Sequence, residues 1–123
     1  FPVGIYGALK MNEIFGSRSY AYTIEEFCHS PIFSIRREDN IIIFDKGDYD
    51  KKKARVLCKR LDKISYSSLY IDLKNLTGIE AVLKSIFLIQ FLMLKIAKRN
   101  GLKDCFFICN KELLKLSSDL IYK

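Results

Sequence analysis

SSLYIDLKNLTGIEAVLKSIFLIQFLMLKIAKRNG, from Ser67 to Gly101, reads as a buried strand, a short loop and a long apolar helix. Leu69 to Leu73 is a compact apolar run with one acid, Asp72, near its end. Lys74 to Glu80 carries the turn residues Asn75 and Gly78. The helix is expected from about Ala81 to Arg99. Asn100-Gly101 is its stop signal, because both residues tolerate the left-handed conformation that ends helices. Cys105 to Cys109 reads as a further buried strand, which completes a βαβ crossover and requires a parallel sheet. Sites in open α/β sheets lie beyond the carboxyl ends of the strands, here Thr77 to Leu83.

Working outward, Pro31 opens a strand over Ile32 to Arg37. Glu38-Asp39-Asn40 is a turn, and Ile41 to Phe44, β-branched and continuously apolar, is a strand expected at the sheet centre. A short polar turn between them implies an antiparallel hairpin. Asp48 or Asp50 then caps a helix that runs to about Lys63, with Ala54, Leu57, Leu61 and Ile64 as its apolar stripe. Asn110 is the expected N-cap of a last helix, Lys111 to Tyr122. Residues 1–30 are expected to form a strand over Val3 to Leu9, a turn at Gly16-Ser17, a strand over Ser19 to Ile24 and a helical turn over Glu25 to His29. This segment either packs on the main domain or links it to an upstream element. The fold class expected is α/β, a mainly parallel mixed sheet with helices packed on it, in the order (β)-β-β-α-β-α-β-α, with residues 31–123 as the domain.

The chain has 123 residues, one domain's length, and 50% of them are apolar, enough for a core. Net charge is +7, from 21 Lys and Arg against 14 acids. This suits an anionic partner, although scattered lysines also make an ordinary solvated surface. Cys28, Cys58, Cys105 and Cys109 lack metal-ligand spacing and are expected as reduced thiols. Neither a signal peptide nor a bilayer-length apolar run is visible. The chain begins with Phe1, as expected of a processed product or a fragment of a longer protein.

Catalytic chemistry is poorly represented. The P-loop, GxGxxG and zinc signatures are missing. Cys28-His29 are sequence neighbours only, and Asp45, Asp48 and Asp50 alternate like metal ligands but also like a capping turn. Asp72 and Glu80 form a carboxylate pair with neither base nor metal beside it. No enzyme activity, catalytic residue, metal or cofactor is expected. On a helical projection, Leu83, Ile86, Ile89, Gln90, Met93 and Ala97 fall on the inner side of the central helix, and Lys84, Lys95 and Lys98 fall opposite. Leu88 and Phe91 fall among those lysines, as a partner surface would, unless the first thirty residues cover them.

Residues 32–122 resemble a STAS domain, the fold of anti-sigma-factor antagonists and of the cytosolic C-terminal domains of SulP-type anion transporters. The likeness lies in the order of elements, in Leu69-Tyr-Ile-Asp-Leu-Lys-Asn-Leu-Thr-Gly-Ile-Glu80 leading into a long helix, and in the turn within Ile41 to Asp50. In switch-type members, serines follow the position of Glu80, one of them the phosphoryl acceptor. Here Ala81, Val82 and Leu83 stand there, so the resemblance does not carry phosphorylation control. Gly4 to Phe27 and Pro31-Ile-Phe-Ser-Ile-Arg are similar to the SulP version. The resemblance implies a non-catalytic domain on the cytoplasmic side of a membrane. It would dock to its own transporter's membrane domain or to a second subunit in a homodimer. The docking elements would be Thr77, Gly78, Glu80, Ala81 and Val82 in the loop, and Lys84, Leu88, Phe91 and Lys95 on the helix. The alternatives are a stand-alone cytoplasmic STAS adaptor with a soluble protein partner, and a basic RNA- or ribosome-binding module using Lys51 to Lys53, Lys59, Arg60, Lys98 and Arg99.

Overall fold

The computed structural model describes residues 1–47 and 52–122. In chain order the elements are α1 (Pro2–Phe15), α2 (Ile24–His29), a 3-10 turn (Pro31–Phe33), β1 (Asn40–Asp45), α3 (Lys53–Lys63), β2 (Ser67–Asp72), α4 (Gly78–Arg99), α5 (Phe106–Cys109) and α6 (Lys111–Tyr122). The fold is α/β. Among the described residues the sheet is a parallel pair, β1 beside β2, in the register Asn40 to Ser67 through Asp45 to Asp72. Contacts divide the chain into two compact units, Phe1 with Tyr22–Ser85, and Pro2–Ala21 with Ile86–Lys123.

The first unit is built on a β-α-β crossover. Parallel strands need a long connection, and α3 supplies it while covering one face of the sheet. Ile43, Ala54, Cys58 and Leu61 form its buried centre, with Ile24, Ile35, Ile41, Leu57, Tyr66 and Tyr70 packed around them. Ile41, Ile43 and Tyr70 therefore lie on the α3 side of the pleat. On α3 the buried stripe includes Cys58 in place of the expected Ile64, which caps the helix and is exposed. The helix ends in a Schellman turn. Tyr66 N–H bonds the Leu61 carbonyl at 3.0 Å, Ser65 N–H bonds that of Asp62 at 3.0 Å, and Ser65 takes the left-handed conformation with φ 62°. Arg37 donates to the Ile64 carbonyl and lies 4.7 Å over the Tyr66 ring, which ties the loop before β1 to the end of α3.

In the second unit α1 packs closely on α4. A Cβ at Gly7 would stand 3.1 Å from Ile89 Cδ1. Gln90, the one polar interruption of the apolar run, donates to Tyr6 Oη at 3.1 Å. At the far end of α4, Leu102 N–H bonds the Ala97 carbonyl at 3.0 Å and Gly101 takes φ 64°, the expected stop. Leu113 N–H bonds Asn110 Oδ1 at 3.2 Å, so Asn110 begins α6 as expected.

Four expected strands are absent. Val3 to Leu9 lies inside α1, because the segment continues through Ala8, Leu9, Lys10 and Met11, all good helix formers. Ser19 to Ile24 is irregular up to the start of α2. The Ser19 N–H is taken by Asn12 Oδ1 at 2.8 Å, and Thr23 and Glu26 close a capping box that opens α2. Ile32 to Arg37 is not a strand and forms no hairpin. Pro31 begins the 3-10 turn, Ser34 N–H bonds its carbonyl at 2.9 Å, and Arg36 N–H is taken by Asp39 Oδ2 at 2.8 Å. Hence β1 has one strand partner among the described residues and is not central. Cys105 to Cys109 is the short helix α5 with Cys105 as its N-cap, because a five-residue apolar run has no decisive period. The expected caps Asp48 and Asp50 lie outside the described residues.

Two substitutions check this account. Leu61→Ala is expected to lower stability by about 2–4 kcal/mol in urea unfolding, since Leu61 is 2% exposed. Ser65→Gly is expected to raise it by about 0.5–1 kcal/mol by relieving the left-handed conformation.

Candidate functional site

The register of the parallel pair brings Asp45 and Asp72 to the carboxyl ends of β1 and β2, where α/β sites form. Asp45 is 5% exposed, and a buried carboxylate needs donors. Tyr70, on the same face of the sheet, donates its hydroxyl to Asp45 Oδ2 at 2.5 Å. Lys74, just beyond β2, places its ammonium 3.1 Å from the same oxygen and donates to Tyr70 Oη at 3.0 Å. Arg55 of α3 lies 5.7 Å over the Tyr70 ring, and the Lys74 ammonium lies at the same 5.7 Å. The chain leaves β1 through Gly47 at φ 82°, and a Cβ there would meet Lys74 Cγ at 2.8 Å. Glycine is therefore required both by the turn and by the path of the lysine stem.

The three groups set one another's protonation. Burial pushes the Asp45 carboxyl up, but the Tyr70 hydroxyl, the Lys74 ammonium and the Gly47 N–H outweigh it, and the net direction is down. Burial and the hydrogen bond to Asp45 push the Tyr70 phenol up, against the Lys74 hydrogen bond. The hydrogen bonds to Tyr70 and Asp45 push Lys74 up against desolvation. At neutral pH the cluster is thus carboxylate, phenol and ammonium, with each polar group paired. It is a clamp that fixes the start of the β2–α4 connection. The sequence reading did not find it. A strand register joining residues 45, 70 and 74 was the signal required.

The expected docking loop lies on that connection. Thr77 and Glu80 are a capping box: Thr77 N–H bonds Glu80 Oε2 at 2.7 Å, and Glu80 N–H bonds Thr77 Oγ1 at 3.4 Å. The Thr77 N–H and hydroxyl hold the Glu80 carboxyl below its ordinary range. The helix therefore begins at Gly78, three residues before the expected start. Ala81 is buried and Val82 is exposed. The supposed carboxylate pair divides into two local caps, since Asp72 Oδ1 accepts from Lys74 N–H at 3.1 Å. Ser85 is buried and donates to the Ala81 carbonyl at 2.7 Å. Cys28 and His29 are both exposed on α2, and among the described residues no hydrogen bond joins them.

Further along α4, Ala81, Ser85, Ile89 and Met93 are buried at i, i+4, i+8 and i+12. This face differs from the expected inner side, because Leu83 and Gln90 are exposed. Lys84, Leu88, Phe91 and Lys95 are exposed, as placed by the projection, and the Lys95 ammonium lies 5.1 Å over the Phe91 ring. Phe87, 66% exposed, and Leu94, 51% exposed, fall on the same arc and were not singled out from sequence. Among the described residues no helix is long and apolar enough to cross a membrane, and no group of three or more His, Cys, Asp and Glu could hold a metal.

No family model, curated protein or solved structure matches the chain.

The Asp45 clamp predicts a pH signature. Its folded-state pKa lies below the ordinary 3.8, so its stabilisation is complete above that value and is lost as pH falls through the lower folded value. Asp45→Asn should be less stable than the parent protein at pH 7, and the gap should close below about pH 4 in urea unfolding followed across pH. Tyr70→Phe should cost about 1–3 kcal/mol at pH 7 by removing a hydrogen bond to a charged group.

Proposed function

We propose that this chain is a non-catalytic interaction domain of STAS-like kind, belonging to a SulP-type anion transporter. It acts on the cytoplasmic side of the membrane by docking to the transporter's membrane domain or to a second subunit. The carrying observation is the outer arc of α4, where Phe87, Leu88, Phe91 and Leu94 are exposed between lysines. Large apolar side chains grouped on one exposed arc favour association over solvation. Support for the family reading comes from the strand–helix–strand–long-helix order of β1, α3, β2 and α4, and from the sequence likeness of residues 69–80. The capped turn Thr77–Val82 offers no hydroxyl at the acceptor position. The proposed docking is therefore constitutive and not switched by phosphorylation there.

A stand-alone adaptor with a soluble partner would use the same arc. The two are separated by fractionating the source cell. A band much larger than 14.3 kDa in the membrane fraction is expected, and a soluble band near that mass would end the transporter reading. Leu88→Ser with Phe91→Ser is expected to weaken self- or partner association at least tenfold in sedimentation velocity, with far-UV circular dichroism unchanged. Unchanged association would remove α4 as the docking element.

A further inference from the structure

The outer face of α3 carries charge of one sign. Its apolar side, Ala54, Leu57, Cys58 and Leu61, is spent on the sheet. On a helical projection Lys52, Arg55, Lys59, Arg60 and Lys63 fall within a single opposite arc, with Arg55 at its edge beside the Tyr70 ring and Val56 the one apolar residue inside it, and all five cations are exposed. Lys53 is set apart, because Glu25 pairs with it at 3.4 Å. The one acid of the helix, Asp62, stands at the edge of the arc and accepts from Ser68 Oγ at 2.7 Å. None of the five cations has an acidic partner among the described residues. Arg55, Lys59 and Lys63 repeat at i, i+4 and i+8, where like charges oppose the helix. The first turn holds no acid to offset the cations at the positive end of the dipole. Such a face is relieved by a polyanion. Five cations span about 16 Å of helix, roughly one per 4 Å, a linear charge density comparable to that of one duplex strand, about one phosphate per 3.4 Å of duplex axis.

We infer that the outer face of α3 binds the phosphodiester backbone of a nucleic acid duplex, without base readout. A lipid surface fits less well. Stable membrane association usually adds an apolar face to the basic one, and here the apolar side of α3 is buried against β1 and β2. The site is distinct from the α4 arc and does not rest on the transporter reading.

Fluorescence anisotropy with labelled duplex RNA and duplex DNA of about two helical turns tests this on the full chain. Five phosphate contacts give a slope of about −4.5 in log K against log salt, a loss of several hundred-fold in affinity between 50 and 200 mM salt. The triple reversal Lys59→Glu, Arg60→Glu, Lys63→Glu should bring that slope to about −2 or shallower. The control reversal Lys103→Glu, Lys111→Glu, Lys115→Glu changes net charge equally, and should leave the slope near the parent value. Circular dichroism shows whether each variant is folded. Binding to either duplex with this pattern supports the proposal. Absence of binding at 50 mM salt, equal loss in the control, or binding only to vesicles of phosphatidylserine and phosphatidylcholine in equal parts would overturn it.

Discussion

A carboxylate held 95% out of solvent at the end of a strand constrains everything around it. Asp45 is tolerable there only because Tyr70 and Lys74 deliver an O–H and an ammonium to one of its oxygens. That geometry requires Ile43 beside Tyr70 and Asp45 beside Asp72. A slip of one residue would turn Phe44 toward α3 and leave the carboxylate on the opposite face. The buried acid therefore bears on register as well as on stability. It selects one register of a short parallel pair that hydrophobic contact alone would define loosely. The same constraint reaches along the chain in both directions. Gly47 must turn away to leave room for the lysine stem, and Lys74 must stand where Thr77 and Glu80 can then open α4.

The parts legible in the sequence are those with a single dominant cause. Ile41 to Phe44 and Leu69 to Leu73 were recognised because β-branched and apolar runs between polar turns have few alternatives. The paths of α3 and α4 followed from their periods, and Asn110 and Gly101 marked a start and a stop through their side-chain and backbone chemistry. The failures share one physical source. Val3 to Leu9, Ile32 to Arg37 and Cys105 to Cys109 are short apolar segments whose local preference is divided, so their state is set by what they touch. Asn12 on the Ser19 N–H and Asp39 on the Arg36 N–H are interactions of a side chain with backbone several residues away. Each removes a donor that a strand ladder would have used.

The candidate site was legible in part. Thr77-Gly-Ile-Glu80 has the spacing of a capping box, and that pattern was available without coordinates. Reading Glu80 as one half of a carboxylate pair overlooked a local partner three residues away. The exposure of Leu88 and Phe91 was legible because a helical projection needs no tertiary information. The Asp45 clamp was out of reach, because residues 45, 70 and 74 meet only through the strand register.

The crossover helix α3 and the long helix α4 that follows β2 divide the surface chemistry between them. α3 satisfies most of its apolar side against β1 and β2 and leaves a solvent face dominated by positive charge, with Val56 exposed among the cations. α4 buries small and medium side chains, Ala81, Ser85, Ile89 and Met93, and carries its largest ones, Phe87 and Phe91, outward. A helix selected only to cover a core would place these the other way round, because burying an aromatic ring stabilises more than burying alanine or serine. The burial pattern of α4 is therefore the reverse of that of a helix whose largest side chains face a core. Lysines stand between the rings, and Lys95 over Phe91 offsets part of the cost of exposing that ring to water.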